Sequence, residues 1–458
     1  MRRPLATLCL IVLILAGSAS STALAGGPLD CTAKTTALRY RPSVVYTCPA
    51  PVATATATVV RTSPSQAVPS TVTVNGDQVV VDIGATLASA GHYKITPVIE
   101  DGASFTAPTT WTTRAAPSHA NVKVLYFTAI APDARRDMLQ RVDAANIVAV
   151  PRDSDVIDVS TGSMTVAQIE ARMKKHQVVM VVGGDASYAF PVNLGKALAW
   201  FQSHGHGVVT AGQTHWSQDL PVWSYGSAVG AGTAWDKSWA MYPDGPLLES
   251  DRIEGGQIQG STIKKHFITA GLKSFTVIGP STGEVLPRFG ADLLADFRLD
   301  GVPGNRFNSF HQAFLAARQF NATRTVDLGY RPWSSAIAGG GFDPAVSPGG
   351  HLLARALLWA ANRIPPANTH FTLKPHSPAS YAQVPFRVAA TDPDPDKLGL
   401  RYRYRLGSGA WHWAMGNMFE FFGMSNGRHT VSVYAVDSAG NRDPHTARYT
   451  FTIRGNPG

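Results

Sequence analysis

The spacing of apolar and polar positions divides the chain into regions of different character. Between residues 28 and 118, apolar positions alternate in short β-branched segments, among them Ser70 to Val74 (STVTV) and Gln78 to Ile83 (QVVVDI), and no helical period appears. Asn75-Gly76 between these segments is typical of a type I′ hairpin turn. The region is therefore predicted to be a small β-sandwich that ends at the linker Ala115 to Ser118.

The pattern changes after residue 120, where apolar runs alternate with helical segments. Val122 to Phe127 (VKVLYF) and Val178 to Val182 (VVMVV) are typical of strands buried on both faces of a parallel sheet. Thr165 to Lys175 has an apolar stripe at helical spacing. Residues 120–363 are therefore predicted to form an α/β domain whose central sheet is open, doubly wound and mostly parallel.

Two further segments complete the predicted organisation. Residues 216–265, rich in glycine and aromatic residues, break the alternation and indicate a long insertion. After the terminal helix Leu352 to Asn362, the linker Ile364 to Pro366 leads into a second β-rich region, residues 367–458, which is predicted to be another β-sandwich.

Arg401 to Leu406 (RYRYRL) in this last region has arginines on one face of a predicted strand and tyrosines on the other. Two interpretations are open, a half-buried edge strand with solvated arginines and a stripe that binds nucleic acid. The first is preferred, and no nucleic-acid partner is expected.

The first 25 residues have the features of a cleavable secretory signal peptide, and an uncleaved membrane anchor is the less favoured alternative. Arg2 and Arg3 precede the apolar run Leu8 to Ala16, and Ala23-Leu24-Ala25 supplies a small-x-small cleavage pattern. No later segment approaches the length of a membrane span, so no integral span is expected after cleavage. The protein is predicted to be secreted or to lie at the cell surface.

Cleavage of the signal would remove Cys9 and leave Cys31 and Cys48 as the only cysteines. In an exported chain these two are predicted to form a disulfide. A metal site is the weaker alternative, because no histidine cluster lies near them in the sequence. Cysteine-nucleophile chemistry in the rest of the chain is excluded, because no thiol remains there.

The net charge is +9, but only 16% of the residues are charged and they are scattered. A basic excess suits an anionic envelope or an acidic polysaccharide. It is also an ordinary solubility feature, which is the preferred interpretation.

Several motifs in residues 120–363 carry a resemblance to a known fold family. The strand ending at Val182 to Ala186 and the strand Gly207 to Gly212 resemble the class I glutamine amidotransferase-like fold. His266 to Leu272 (HFITAGL) resembles the "HPIT-x-GL" segment of the ThuA-like branch, with Phe267 in place of proline, and Leu352 to Ala361 resembles its "ALLWAA" helix. The flanking regions resemble bacterial immunoglobulin-like modules, the last one through Ala435 to Asn441 (AVDSAGN).

The resemblance implies no amidotransferase activity. Amidotransferases place a nucleophilic cysteine on a sharp turn after a strand, beside a histidine. The matching turn here runs from Thr210 to His215, and either Gly212 or Thr210 occupies the nucleophile position. Cysteine is absent, as is also expected for the ThuA-like branch.

Candidate chemistry gathers where ligands bind in such sheets, at the carboxyl ends of the strands. Gly183 and Gly184 let backbone N–H groups approach an anion or a carbonyl oxygen, or they simply form a tight turn. His215 is a candidate general base with Asp185 orienting it, and Ser187 is a candidate nucleophile without a GxSxG motif.

The remaining candidates at this edge are for binding. Gly212 and Gln213 follow the next strand, and Trp216 and Trp223 in the insertion are candidates to stack on sugar rings, although a small aromatic core is the ordinary interpretation. A metal site built from His215, Asp185 and His311 lacks the usual ligand spacing.

The turn Asp392 to Asp396 (DPDPD) in the last region resembles the acidic turn of cadherin-like repeats. Asp392, Asp394 and Asp396 are candidate calcium ligands, and a rigid, solvated turn without an ion is the alternative. No other cofactor is expected.

These observations favour an exported envelope protein whose ThuA-like domain binds, and in one version processes, a carbohydrate-related or cell-wall ligand. Two alternatives stay open, a non-catalytic adhesion or scaffold protein and a serine-type hydrolase. The sequence does not indicate the oligomeric state.

Overall fold

A computed structural model describes most of the chain after the predicted signal peptide. The described residues are 30–100, 104–184, 188–212, 252–258, 263–282, 291–297, 312–320, 323–345, 347–380, 383–393, 399–437 and 439–455. They fall into two compact units.

The first unit is built from antiparallel strands, as the alternating pattern predicts. Its strands are β1 (Thr32–Lys34), β2 (Ser43–Thr47), β3 (Thr54–Thr62), β4 (Ser65–Val68), β5 (Ser70–Asn75), β6 (Gln78–Ile83), β7 (His92–Glu100), β8 (Ser104–Phe105) and β9 (Thr109–Thr112). They form one sheet in the order β1-β2-β6-β5 and another in the order β4-β3-β7-β8, with β9 beside β7. Alternate residues of β6 and β7 are buried, because one face of each strand packs into a core.

Cys31 and Cys48, the predicted disulfide partners, are joined by an S–S bond in this unit. Both are buried. The bond links the residue before β1 to the residue after β2, which are separated by 17 positions in the sequence.

The second unit contains a seven-stranded sheet. Its strands are β10 (Val124–Ala129), β11 (Val156–Asp158), β12 (Val178–Gly183), β13 (Gly207–Gly212), β16 (Asp292–Phe297), β17 (Gln312–Phe320) and β18 (Thr323–Leu328), and a separate pair consists of β14 (Arg252–Ile258) and β15 (Phe275–Thr282). The order across the sheet is β11-β10-β12-β13-β18-β17-β16. The first five strands are parallel, and β17 and β16 are antiparallel additions at one side.

Helices cover both faces of the parallel part. They are α1 (Pro132–Ala145), α2 (Val166–Met173), α3 (Pro191–Ser203) and α4 (Gly349–Ala360). Val124 and Tyr126 of β10 join the core under α1 and α4, whereas Leu125 and Phe127 join the core under α2 and α3. This two-sided burial explains the continuous apolar runs in β10 and β12.

The predicted fold class is nevertheless wrong. Strands make up 44% and helices 15% of the structure, and several sheets are antiparallel, so the protein is mostly β and not an open, doubly wound, mostly parallel α/β protein. The strands β16 and β17 were not expected from the pattern, and they make the central sheet mixed.

Residues 367–455 add two antiparallel sheets to the second unit. Their strands are β19 (Ala367–Leu373), β20 (Gln383–Thr391), β21 (Arg401–Leu406), β22 (His412–Trp413), β23 (Met418–Phe422), β24 (Gly427–Val436) and β25 (Ala447–Ile453). The sheets are ordered β19-β20-β23 and β22-β21-β24-β25, and apolar side chains from both form one core. The two sheets enclose that core in the manner of a sandwich.

Segments 37–42 and 85–91 belong to the second unit although they connect strands of the first. The predicted division at residues 28–118, 120–363 and 367–458 stays a prediction. Within the described residues, none of the helices has both the length and the apolar character that a membrane span requires.

Candidate ligand site at the carboxyl edge of the central sheet

Three neighbouring parallel strands end side by side at one edge of the central sheet. Gly183 at the end of β12 pairs with Ala129 of β10 on one side and with Gly212 of β13 on the other. This edge therefore brings together Gly183, Gly184 and Gly212, three of the residues that the sequence selected.

Gly212 is needed for the backbone geometry of the edge. Its φ is +70°, and a Cβ atom here would lie 2.3 Å from the carbonyl oxygen of Gly183. Its N–H donates a hydrogen bond to the carbonyl oxygen of Tyr330 (3.1 Å). Only glycine combines this left-handed conformation with so close an approach of two strands.

Gly184 is enclosed by side chains from two different elements. A Cβ atom here would lie 2.7 Å from Cγ2 of Ile130 and 3.4 Å from Cη2 of Trp333. Trp333 belongs to the loop that follows β18, so this loop returns over the ends of β10 and β12.

The loop that carries Trp333 is built tightly and is fixed to α1. A Cβ atom on Gly341 would lie 2.3 Å from the carbonyl oxygen of Arg331, which shows how closely the loop folds back on itself. The Ser334 N–H donates to Oδ2 of Asp137 (2.7 Å), and the Arg141 guanidinium donates to Oγ of Ser334 (3.0 Å). The edge is therefore held in one shape by charged groups of the neighbouring helix.

Arg331 places a buried positive charge in this loop. Its guanidinium lies over the ring of Trp333, 5.5 Å from the centroid, and it donates to the carbonyl oxygen of Gly339 (3.3 Å). The rule for strand ends places the loop from Arg331 to His351, which follows β18, at this same edge. No individual role for Arg331 was predicted from the sequence.

Thr210, one candidate for the nucleophile position, is buried within the sheet. Its hydroxyl donates a hydrogen bond to the Asp327 carboxylate, which lies beside it on β18. Thr325 on the same strand accepts from Nε2 of Gln202 (2.7 Å), so polar groups of β13, β18 and α3 satisfy one another. The Asp327 carboxylate is a second charged group near the edge that sequence reasoning missed.

Most of the predicted catalytic and binding side chains lie outside the described residues. These are Asp185, Ser187, Gln213, His215, Trp216 and Trp223, together with His311 of the alternative metal site. Their roles stay predictions.

The predicted calcium turn is described only in part. Asp392 is described, whereas Asp394 and Asp396 are not. Burial raises the pKa of Asp437, hydrogen bonds from Asn441 oppose this rise, and the negative charge of Asp392 adds to it. Among the described residues, no group of three histidine, cysteine or acidic side chains is arranged to hold a metal ion.

The edge geometry makes a direct prediction about Gly212. We expect Gly212→Ala to destabilise the protein by at least about 2 kcal/mol, because the methyl group meets a backbone carbonyl in a left-handed residue. Gly205→Ala is the matched control, since Gly205 has a φ of +84° and no atom within 4 Å of its Cβ position. Its cost should be about 1 kcal/mol, from conformation alone. Equal shifts in urea denaturation would contradict the proposed close approach.

No protein-family model matches the sequence, and no curated protein does. Among solved structures, a ThuA-like protein of Parabacteroides merdae is 12% identical over 52% of this chain and 90% of its own, with a TM-score of 0.33. The PKD1 domain of the Vibrio cholerae metalloprotease PrtV is 19% identical over 20% of this chain and 100% of its own, with a TM-score of 0.16.

A third match is the cell-surface-expressed chitinase ChiW of a Paenibacillus species. It is 10% identical over 95% of this chain and 52% of its own, with a TM-score of 0.18. The predicted resemblance is thus confirmed in part, since a ThuA-like structure matches about half of the chain and PKD and fibronectin type III domains each match a short stretch.

Proposed function

We propose that this protein is exported and binds a carbohydrate-related ligand of the cell envelope at the carboxyl edge of its central sheet. The in-register ends of β10, β12 and β13 carry the proposal, because ligands of parallel sheets covered by helices bind at this edge.

The surroundings of the edge suit a polar ligand. The turn at Gly183 and Gly184 is followed by Asp185 and Ser187, and Gly212 is followed by Gln213 and His215. Ligand hydroxyl groups need both donors and acceptors, which these side chains supply. The buried guanidinium of Arg331 adds a positive charge.

No cysteine is available as a nucleophile at this edge. The sequence has three cysteines, of which Cys31 and Cys48 are joined in the first unit and Cys9 lies in the proposed signal peptide. For turnover, the candidate residues are His215 as the base, Asp185 to orient it and Ser187 as the nucleophile.

One observation favours the alternative of a non-catalytic adhesion protein. The absence of side chains at Gly184 and Gly212 is explained by packing within the edge itself, without a ligand. A scaffold needs these glycines as much as a binding site does.

Binding of the mature protein to an array of glycans and cell-wall fragments tests the proposal. We expect His215→Ala and Trp223→Ala each to weaken binding at least about tenfold, because each removes a proposed ligand contact. His204→Ala and Phe422→Ala remove an exposed histidine and an exposed aromatic side chain elsewhere, and these controls should bind within about twofold of the wild type.

The outcomes of this experiment separate the proposals. Unchanged binding in both test variants would contradict the proposed ligand site at the edge. An equal loss in the controls would mean that the variants act through stability. Hydrolysis of a bound glycan that is lost in Ser187→Ala would exclude the adhesion alternative.

A further inference from the structure

The outer face of the last sheet carries guanidinium groups stacked on aromatic rings. We call this set the arginine–aromatic ladder; its members are Arg401, Arg403, Arg405, Arg442, Trp411, Trp413 and Tyr434. It lies on β21, β22, β24 and the segments beside them. Its opposite face, with Tyr402 and Tyr404, packs into the core of the module.

One end of the ladder is formed by Trp413 and two arginines. The Arg401 guanidinium lies 3.9 Å and the Arg403 guanidinium 5.1 Å from the centroid of the Trp413 ring. Arg403 also donates to the carbonyl oxygen of Trp411 (3.2 Å). These contacts fix the planes of both guanidinium groups.

The other end is formed around Trp411. The Arg405 guanidinium lies 4.6 Å from the Trp411 centroid, and the Arg442 guanidinium lies 3.9 Å from the Tyr434 centroid. The rings of Trp411 and Tyr434 meet edge to face, with centroids 4.5 Å apart. Four cations and three rings thus form one continuous layer on this face.

The charge of the layer is not balanced locally. Within the described part of the chain, none of the four guanidinium groups forms an ion pair with a carboxylate. Nε of Arg403 and of Arg405 is buried, and Nη2 of Arg403 and of Arg442 donates to Trp411 and Thr446. Stacking occupies the faces of a guanidinium, so the other Nη donors are left for acceptors. The ladder is therefore prepared to bind several anionic groups at once.

The spacing of the cations favours a linear polymer. Arg401, Arg403 and Arg405 follow one another on the same face of β21, so their Cα atoms are about 7 Å apart. A polymer that carries acidic groups on successive units contacts several of these arginines at once. Each bidentate contact adds to the affinity.

Exposed apolar side chains next to the row favour a sugar polymer. Met415 is 91% exposed and Met418 is 41% exposed, and the two residues pair across the adjoining turn. A uronic acid unit presents a carboxylate and an apolar C–H ring face together, which matches a guanidinium beside apolar groups. Nucleic-acid bases would need open ring faces, whereas arginines already lie over the rings of Trp411 and Trp413.

We propose that the arginine–aromatic ladder binds a carboxylated polysaccharide, a linear polymer that contains uronic acids. This site is separate from the carboxyl edge of the central sheet, and the proposal does not depend on a ligand being bound there. It changes the interpretation of Arg401 to Leu406, whose arginines are stacked groups rather than freely solvated ones.

Affinity measurements with polygalacturonate and the full mature protein test the proposal. We expect Arg401→Gln/Arg405→Gln to weaken binding at least about tenfold, because two of the guanidinium forks are lost. Arg363→Gln/Arg454→Gln removes the same charge at two exposed arginines outside the ladder and should change binding by less than about twofold. An equal loss in both pairs overturns the proposal, since it shows a response to net charge alone.

A second pair of variants keeps the test independent of folding. Arg401→Lys/Arg405→Lys retains the charges and the side-chain stems, and should bind about threefold or more weakly than the wild type because an ammonium makes no bidentate contact. Wild-type affinity in this pair overturns the role of the guanidinium forks.

Competitors distinguish the class of polymer. Dextran, which is neutral, should not compete with polygalacturonate, and single-stranded DNA and polyphosphate should compete more weakly than a second uronate polymer. Competition by dextran, or stronger competition by DNA or polyphosphate, overturns the assignment to a carboxylated polysaccharide.

Discussion

Asp143→Asn is expected to destabilise the second unit by about 3–5 kcal/mol, because it leaves the buried guanidinium of Arg39 without its counter-charge. Arg39 has an exposed fraction of 0% and Asp143 of 1%, and Nη2 of Arg39 lies 2.8 Å from Oδ1 of Asp143. An uncompensated charge at such a depth is strongly unfavourable. The measurement is the midpoint of chemical denaturation.

The hydrogen bonds around this ion pair explain why Asp143→Asn is expected to lower the unfolding free energy so much. Oδ2 of Asp143 accepts from the backbone N–H groups of Arg39 and Tyr40, and Nε of Arg39 donates to Oδ1 (2.9 Å). The same guanidinium donates to the carbonyl oxygen of Ala115 (2.8 Å) and to Oδ1 of Asn146 (2.7 Å). One carboxylate therefore fixes segment 37–42 to α1.

Asp153→Asn is the matched control for this prediction. Asp153 pairs with Arg41 at 2.9 Å, but the two side chains are 50% and 41% exposed. Water and salt screen such a pair, so the control should cost less than about 1 kcal/mol. Similar costs for the two variants would mean that the Arg39–Asp143 pair is not desolvated in solution.

The strands under the helices could be predicted from the sequence because burial on both faces requires a continuous run of apolar residues. β10 and β12 have no polar face, since alternate residues enter two different cores. The hairpin at Asn75 was predicted too, but with the wrong turn. Its loop residues are Gly76 and Asp77, and positive φ at Gly76 without positive φ at Asp77 does not fit type I′.

The fold class could not be predicted, and β17 shows why. Its sequence, QAFLAARQF, consists largely of good helix formers. It is nevertheless a strand, because it pairs with β18 from Leu315 to Phe320 and so extends the central sheet. Such pairing is tertiary, and local propensity does not report it.

The contacts of the site that the sequence did not predict depend on partners distant in the chain. The requirement for glycine at 212 comes from the carbonyl group of Gly183, and the fixed position of Ser334 comes from Asp137. In the same way, the arginines of β21 were placed on one face by the period of a strand, but Trp411 and Trp413 reach them from neighbouring segments. Periodicity assigns faces and does not identify partners.

His266, in the segment that resembles the ThuA-like branch, is the basis of the second large prediction. Its ring meets Trp359 edge to face, with centroids 5.2 Å apart, and Nδ1 accepts a hydrogen bond from the Ile268 N–H (3.2 Å). The guanidinium of Arg324 lies over the same tryptophan, 4.7 Å from its centroid. Protonation of Nδ1 would remove the hydrogen bond and place a second cation beside Arg324.

The pKa of His266 is lowered to about 4, mainly by burial and also by the positive charge of Arg324, and the negative charge of Asp292 opposes this shift only in part. In the unfolded chain the pKa of histidine is about 6.5. Above that pH both states are neutral at this residue. Between about 6.5 and about 4 only the unfolded state takes up the proton, so stability falls as the pH falls, and below about 4 the contribution is constant.

We therefore expect His266 to account for a loss of up to about 3 kcal/mol between pH 7 and pH 4. His266→Asn keeps an acceptor for the Ile268 N–H but does not titrate, so its unfolding free energy should fall less steeply over this range. His376→Asn, at an exposed histidine of the same unit, should retain the wild-type slope. Burial also lowers the pKa values of His119, His206 and His351, and these contribute equally to every curve. Parallel wild-type and His266→Asn curves would contradict a neutral, half-buried His266.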